Sequence, residues 1–218
     1  QNYGTERVLA KLSEYGISNK LAFQIQDFYK EETLEIVEQF PYQLVEDIQG
    51  VGFKIADQLA QSLGIESTAP ERFRAGLLHT LLTQSMEKGD TYLKAKELLE
   101  HTIELLESSR QIELDPSSVA DELTCLIEED KVQNVDTKIF ENSLFFAEEG
   151  IRSNLLRILE KGKQNKFESK KIEAAITHIE EEFAISYDVI QKQAICDAIN
   201  HKIFILTGGP GTGKTTVI

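Results

Sequence analysis

A glycine-rich stretch near the carboxyl end most constrains how this chain can fold. Residues 208–215 read GGPGTGKT and match the pattern G-x-x-x-x-G-K-[ST], the P-loop that joins a buried strand to a helix. Four apolar residues, 203–206, lie one residue before it and are predicted to form that strand. Because glycines let the backbone curl, the N–H groups of the loop can point at phosphate oxygens. The stretch therefore predicts a phosphate-binding loop at the start of an α/β domain.

The chemistry of such a loop assigns roles to its residues. Lys214 would reach the β- and γ-phosphates as a mobile cation, and the Thr215 hydroxyl would bind Mg²⁺, which prefers hard oxygen ligands. The alternative is a glycine-rich turn that binds nothing. We expect ATP and Mg²⁺ as cofactors, with nucleotide contacts from Gly208, Gly209, Pro210, Gly211, Thr212, Gly213, Lys214, Thr215 and Thr216.

Little sequence follows the loop, since the chain reaches Ile218 directly after this motif. A nucleotide-hydrolysing domain also needs a carboxylate for Mg²⁺, a residue that orients water and further strands. We therefore expect the N-terminal portion of a larger ATPase, inactive as an ATPase by itself. Residues 203–218 are predicted to be poorly packed, because the other strands of the sheet are lacking.

Composition limits the classes of partner. The chain has 23 Lys and Arg against 37 Asp and Glu, a formal charge of −14. This is opposite to a general nucleic-acid footprint, so any DNA contact is expected to be local. The absence of a long apolar run or signal peptide predicts a soluble, cytoplasmic protein without a membrane partner. Cys125 and Cys196 are expected to be reduced core thiols, and no metal is expected besides the Mg²⁺ of the nucleotide.

The first seventy residues contain a repeated pair of helices hinged on glycine. In residues 44–60, two helical patterns flank Gly50, Val51 and Gly52, a sequence that resembles the helix–hairpin–helix motif. Hairpin amides and a helix N-terminus of this kind bind a DNA phosphate without reading bases, and Lys54 would add charge there.

An earlier copy of this motif lies 34 residues upstream, where Gly16 and Lys20 fall on Gly50 and Lys54. Ser18 replaces the second glycine in this copy, which puts its phosphate contact in doubt. Such helix pairs also serve as packing units or protein-docking surfaces. The predicted DNA-binding residues are Gly16, Lys20, Gly50, Val51, Gly52 and Lys54.

Residues 70–146 are predicted to form a winged-helix-like domain. Apolar periodicity predicts helices over 71–86 and 94–107 and a third after Pro116, capped by Asp115 or Ser117. Two strand-like runs, 131–135 and 138–144, follow. The third helix is acidic, which argues against insertion into a DNA groove and favours a spacer or protein-docking role.

The approach to the P-loop, residues 147–207, is predicted to be largely helical. A helix over 148–160 would place Ile151, Leu155, Leu156 and Leu159 at core spacing. A lysine-rich linker precedes a helix with Ile172, Ile176, Ile179 and Phe183 on its inner face. This linker is interpreted as a solvated loop rather than a phosphate-tracking patch. A last helix is predicted over 189–200.

That last helix carries a glutamine that completes a resemblance. Residues 191–195 read QKQAI, and the order Q-x-x-A-[IV], helix, strand and GGPGTGKTT is similar to the start of the motor in RecD-like superfamily 1 DNA helicases. The tandem hairpins and helical region resemble the type that acts without RecB and RecC. The resemblance implies that Gln191 hydrogen-bonds the adenine, since a carboxamide both donates and accepts.

The same resemblance implies ATP-driven 5′-to-3′ unwinding of DNA in repair or recombination, with single strands and duplex junctions as partners. It also implies a small β domain upstream of Gln1. Two rival hypotheses stay open: an AAA+ DNA-remodelling ATPase, and a protein-interaction module whose partner docks on the N-terminal hairpins.

The expected fold is mainly α. It comprises tandem helix–hairpin–helix units (1–69), a winged-helix-like domain (70–146), a helical linker region (147–183) and the truncated start of a P-loop α/β motor domain (184–218).

Overall fold

A computed structural model describes residues 2–161 and 166–217. Its internal contacts divide the chain into two compact units, residues 1–146 and 147–218. The fold is mainly α, as predicted. Within the lysine-rich linker, residues 162–165 lie outside the described residues.

The first unit begins with the repeated hairpins. Its first elements are α1 (Asn2–Glu14), α2 (Asn19–Tyr29), a 3₁₀ turn (Lys30–Glu32), α3 (Thr33–Gln39), α4 (Gln43–Asp47) and α5 (Phe53–Ser62). Helix α4 begins at Gln43, directly after a turn at residues 41 and 42. The two copies bury equivalent apolar residues, which include Ile17 and Val51, Ala22 and Ala56, and Ile25 and Leu59.

The rest of the first unit has the element order of a winged helix. It comprises α6 (Pro70–Lys88), β1 (Tyr92–Lys94), α7 (Ala95–Arg110), α8 (Pro116–Glu128), β2 (Val132–Val135) and β3 (Lys138–Glu141). The strands form an antiparallel sheet in the order β1, β3, β2. Asp115 caps α8 by accepting a hydrogen bond from the Ser117 N–H at 3.0 Å. Strand β1 was not predicted.

Helix α9 (Asn142–Glu160) begins earlier than predicted. The Glu141 carboxylate accepts hydrogen bonds from the backbone N–H groups of Ser143 and Leu144 at 2.9 and 3.2 Å. This cap ends β3 at Glu141 instead of residue 144. The predicted inward positions of α9 are wrong, because four of its large apolar residues are exposed: Ile151, Leu155, Leu156 and Leu159.

The second unit also contains α10 (Ser169–Phe183), α11 (Val189–Asn200) and the short α12 (Lys214–Val217). On α10, Ile172 and Ile176 are buried as predicted, but Ile179 and Phe183 are exposed. Cys125 and Cys196 are free and half-buried, and therefore lie outside the fully buried core.

The strand predicted over residues 203–206 does not form. A strand is stabilised by hydrogen bonds to a neighbouring strand, and the described part of the second unit contains no strand to pair with it. As expected from this, none of the described residues 203–217 is buried, and Ile205 is 79% exposed.

Candidate functional site

The P-loop residues form a tight turn directly before α12. Gly213 has φ of +74°, and a Cβ added to it would lie 2.5 Å from the Nε2 atom of Gln191. A side chain at this position would therefore displace Gln191 as well as strain the backbone. The structure thus brings Gln191 and the P-loop together, although residues 192–207 separate them in sequence.

The Lys214 ammonium folds back onto the loop. It donates hydrogen bonds to the carbonyl oxygens of Gly208 and Gly209 at 2.6 and 2.5 Å. Within the described residues it forms no ion pair with a carboxylate. The cation is therefore held only by neutral acceptors, an arrangement that leaves its charge available to an anion. Thr215 is exposed beside it.

Gln191 has a structural task that the sequence analysis missed. Its Oε1 atom accepts the Asp188 N–H at 3.0 Å, and its own N–H donates to the Asp188 carboxylate at 2.8 Å. This reciprocal pair is a capping box, which satisfies two backbone donors at the start of α11. An acidic residue three positions before the glutamine was the available signal. The Nε2 atom faces Gly213.

Glu180 of α10 holds the segment that leads into α11. Its carboxylate accepts the Tyr187 N–H at 2.7 Å and the Lys192 ammonium at 2.9 Å. The hydrogen bond from Lys192, followed by that from Tyr187, lowers the pKa of Glu180. The Tyr187 hydroxyl donates to the Thr216 carbonyl at 3.1 Å. Residues 180–192 thus support both Gln191 and the P-loop helix, a role that the sequence did not indicate.

The second hairpin presents an uncapped helix start. Gly50 has φ of +99°, while Gly52 is extended and precedes α5 without a side-chain hydrogen bond to the first turn. Lys54 is exposed and forms no ion pair within the described residues. Val51 is only 4% exposed, so its side chain belongs to the core and only its backbone could face a ligand.

The first hairpin has the same turn but a capped helix. Gly16 has φ of +81°, and the Ser18 hydroxyl accepts the Leu21 N–H at 3.5 Å. Lys20 is exposed and, together with Leu21, Gln24, Gln49 and Gly50, lines an open cavity of about 520 Å³. Lys20 of the first copy therefore lies beside Gly50 of the second, and two predicted DNA-binding residues share one surface.

A buried ionic cluster fixes α5 to α6 and α7. Arg72 donates to the Asp57 carboxylate at 2.8 and 3.1 Å, and Arg110 donates to it at 2.8 and 3.1 Å. The Tyr42 hydroxyl adds a bond at 2.7 Å. Asp57 is 1% exposed and Arg72 is fully buried.

Burial by itself would raise the pKa of Asp57. Hydrogen bonds from Arg72, Ser109, Tyr42 and Arg110 outweigh that effect and hold the pKa at about 2. The carboxylate is therefore ionised at neutral pH and balances part of the buried guanidinium charge. No sequence pattern linked these residues.

The described residues contain no group of three or more His, Cys, Asp or Glu side chains placed to hold a metal ion. Across residues 2–161 and 166–217, no helix combines the length and apolar character needed to cross a membrane.

Two regions of the chain match known families. Residues 1–92 match the HHH domain of the ATP-dependent RecD2 DNA helicase, which covers both hairpins and continues through α6. Residues 191–218 match an AAA domain, which begins at Gln191 and includes the whole P-loop. The helix–hairpin–helix domain is a DNA-binding module, which supports DNA as a partner of this region. These two matches, in this order along the chain, support its similarity to the N-terminal part of a RecD2-like DNA helicase.

Proposed function

We propose that this chain provides the DNA-engaging region and the first nucleotide-binding elements of an ATP-dependent 5′-to-3′ DNA helicase that acts in repair or recombination. One observation carries the nucleotide part of the proposal. Gln191, Gly213 and Lys214 meet at one place, with an unpaired cation and a carboxamide directed at the same loop. Such a site suits a ligand that combines an anionic tail with a hydrogen-bonding base.

The residues present fit ATP with Mg²⁺. When bound, ATP supplies a hydrolysable phosphoanhydride and Mg²⁺ neutralises its charge. Lys214 would exchange the Gly208 and Gly209 carbonyls for the phosphates, and Thr215 would offer its exposed hydroxyl to Mg²⁺. Gln191 would turn its carboxamide toward the base. The glycine-rich loop from Gly208 to Gly213, with Pro210, Gly211 and Thr212, would surround the phosphates, and Thr216 would adjoin them.

A titration with a fluorescent ATP analogue tests this assignment in the chain itself. Wild type should bind in the presence of Mg²⁺, and Lys214→Ala should weaken binding by tenfold or more, because a charge-assisted contact is worth about 1.5–3 kcal/mol. Lys170→Ala removes an exposed lysine of the same unit and serves as the control. Equal affinities for wild type and Lys214→Ala would contradict the site.

We propose the helicase activity for a protein that combines this sequence with a complete motor. There, Lys214→Ala should abolish ATP hydrolysis and leave DNA binding largely intact, whereas the present chain should not hydrolyse ATP. Duplexes with a 5′ or a 3′ single-stranded tail test the direction. Unwinding that prefers the 3′-tailed substrate would contradict the proposed polarity.

The DNA contact is proposed for the second hairpin first. Its helix start carries no side-chain cap, and Lys54 and Lys20 flank the turn at Gly50. Fluorescence anisotropy with short single-stranded and duplex DNA at two salt concentrations should show salt-sensitive binding. Lys54→Gln should weaken it, while Lys131→Gln, an exposed lysine far along the chain, should not. Equal loss in both variants would indicate a nonspecific charge effect.

A further inference from the structure

The sheet of the winged-helix domain has one face that packs inward and one that faces outward. The strand register places Tyr92 opposite Phe140 and Lys94 opposite Lys138, with Val135 beside Lys138 on the other edge. Because side chains alternate across a strand, these residues share one face. The opposite face carries the buried Leu93, Ile139 and Val132. We call the first face the outer face; its members are Tyr92, Lys94, Gln133, Val135, Lys138 and Phe140.

The charge of the outer face is unusual for its surroundings. Acidic residues outnumber basic ones in residues 70–146, yet none of the six outer-face residues is acidic. Two lysines, Lys94 and Lys138, are direct cross-strand partners. Like charges in that position repel each other. Both are exposed, and neither forms an ion pair in the described part of the chain. An anion held between them would relieve the repulsion.

Aromatic groups lie next to these cations, because Tyr92 and Phe140 form the neighbouring cross-strand pair on the same face. The Lys138 ammonium lies 4.8 Å from the centre of the Tyr92 ring, and that ring packs on Phe140 at 5.3 Å. Phe140 is covered further by Phe145 at 5.4 Å. Tyr92 remains partly exposed. Lysines combined with an accessible aromatic ring are the chemistry of surfaces that bind a nucleic-acid backbone and stack its bases.

Several acidic groups of the neighbouring helices α7 and α8 are engaged elsewhere. Glu97 at the start of α7 pairs with Lys88, and the hydrogen bond from Lys88 is the largest cause of its lowered pKa, to which Lys94 also contributes. On α8, Glu122 and Glu129 both pair with Arg74. Asp136, in the turn between β2 and β3, is exposed and lies two residues before Lys138.

We propose that the outer face binds the sugar-phosphate backbone of DNA, with Lys94 and Lys138 on phosphates and Tyr92 against a sugar or base. The inference rests on the proposed function in taking DNA as the partner, but it concerns a second site, separate from the hairpins. It also places DNA contact in this domain on the sheet instead of the acidic helix α8.

Charge-reversal variants test the outer face by fluorescence anisotropy with single-stranded and duplex DNA. Lys94→Glu and Lys138→Glu should each weaken binding about fivefold or more and reduce the slope of log affinity against log salt by about 1, as expected for one phosphate contact. Lys131→Glu makes the same charge change at the far end of the β2–β3 hairpin and should leave affinity within about twofold. Tyr92→Leu should affect single-stranded DNA more than duplex.

The hairpin variant Lys54→Gln separates this inference from the proposed function. Binding that depends on Lys54 but is unchanged in Lys94→Glu and Lys138→Glu overturns the outer-face site and leaves the hairpin contact standing. Equal losses in Lys138→Glu and Lys131→Glu also overturn it. Absence of DNA binding by wild type overturns both DNA sites. Circular dichroism of each variant confirms that the sheet and helices remain folded, and Lys138→Gln repeats the test without a new negative charge.

Discussion

The two helix–hairpin–helix copies bury equivalent apolar residues but differ at two equivalent positions on their second helices. Ile17, Ala22 and Ile25 of the first copy and Val51, Ala56 and Leu59 of the second are all buried. At the helix start, however, Ser18 of the first copy is equivalent to Gly52 of the second. One helical turn further, Phe23 is equivalent to Asp57. Phe23 is 57% exposed, whereas Asp57 is 1% exposed.

These differences separate two tasks. In the first copy, the Ser18 hydroxyl takes the N–H of Leu21 that would otherwise be available to a phosphate oxygen. In the second copy, Gly52 leaves the helix start open, and Asp57 ties α5 to Arg72 and Arg110. Both copies therefore keep the same buried apolar positions. Only the second copy combines an uncapped helix start with an ionic attachment of that helix to α6 and α7.

The largest expected effect comes from removing the anchor. Asp57→Ala leaves two buried guanidinium groups without their counter-charge, and such a change costs about 3–5 kcal/mol of unfolding free energy. Phe23→Ala, at the equivalent position of the first copy, should change it by less than about 0.5 kcal/mol. Urea unfolding of both variants measures the difference. Similar losses in the two variants would contradict the contrast between the copies.

Acid should lower the unfolding free energy by protonating the Asp57 carboxylate. The pKa of Asp57 is about 2 in the folded chain, below about 3.9 when unfolded. A lowered pKa contributes stability above the unfolded value, and this is lost as pH falls from about 4 toward 2. The contribution is about 2–3 kcal/mol. The difference in unfolding free energy between wild type and Asp57→Asn should therefore shrink on acidification. A constant difference would contradict this assignment.

The turn glycines should show a smaller cost. Gly50→Ala forces φ of +99° on a residue with a side chain and should cost about 1–2 kcal/mol. Gly16→Ala, at +81°, lies closer to the left-handed helical region and should cost slightly less. Gly52→Ala is the control, because Gly52 has φ of −86° and open space around its Cβ position. Thermal unfolding ranks the three variants; a loss in Gly52→Ala equal to that in Gly50→Ala would refute the explanation.

Exchanging the cap residues should have the smallest effect on stability. Gly52→Ser and Ser18→Gly should each change the unfolding free energy by only a few tenths of a kcal/mol, in opposite directions. DNA affinity should respond the other way, falling when Gly52 becomes serine and rising when Ser18 becomes glycine. Anisotropy titrations of the two variants test this. Affinities that do not move would show that the helix starts do not contact phosphate.

Local patterns predicted the helices well. The apolar spacing in α6, α7 and α8 and the glycines of the two hairpins gave elements within a few residues of those observed. The Asp115 cap also followed from local chemistry, since a short polar side chain before a proline-started helix satisfies free N–H groups. The P-loop was evident for the same reason, because its pattern is contiguous.

Features that depend on distant residues could not be predicted in this way. Strand β1 has three residues, Tyr92–Lys94, and exists because β3 pairs with it. The cluster around Asp57 joins residues from four separate segments. The same limit explains the error at residues 203–206, where an apolar run has no partner strand in the described residues of its unit. The apolar spacing on α9 likewise identified an apolar face of the helix, but it could not show whether another element packs against that face.

The position of Asp57 within α5 has a mechanical consequence. Helix α5 begins at Phe53, directly after the open turn, and Asp57 follows one helical turn later, about 6 Å along the axis. A tension applied to DNA at the turn would therefore pass within one turn of helix to the guanidinium groups of Arg72 and Arg110. Because the ionic contacts join α5 directly to α6 and α7, this force would not have to pass through the loop that joins α5 to α6. Helix α5 is therefore attached to α6 and α7 close to the turn, whereas α2 of the first copy carries the exposed Phe23 at the equivalent position and lacks this ionic attachment.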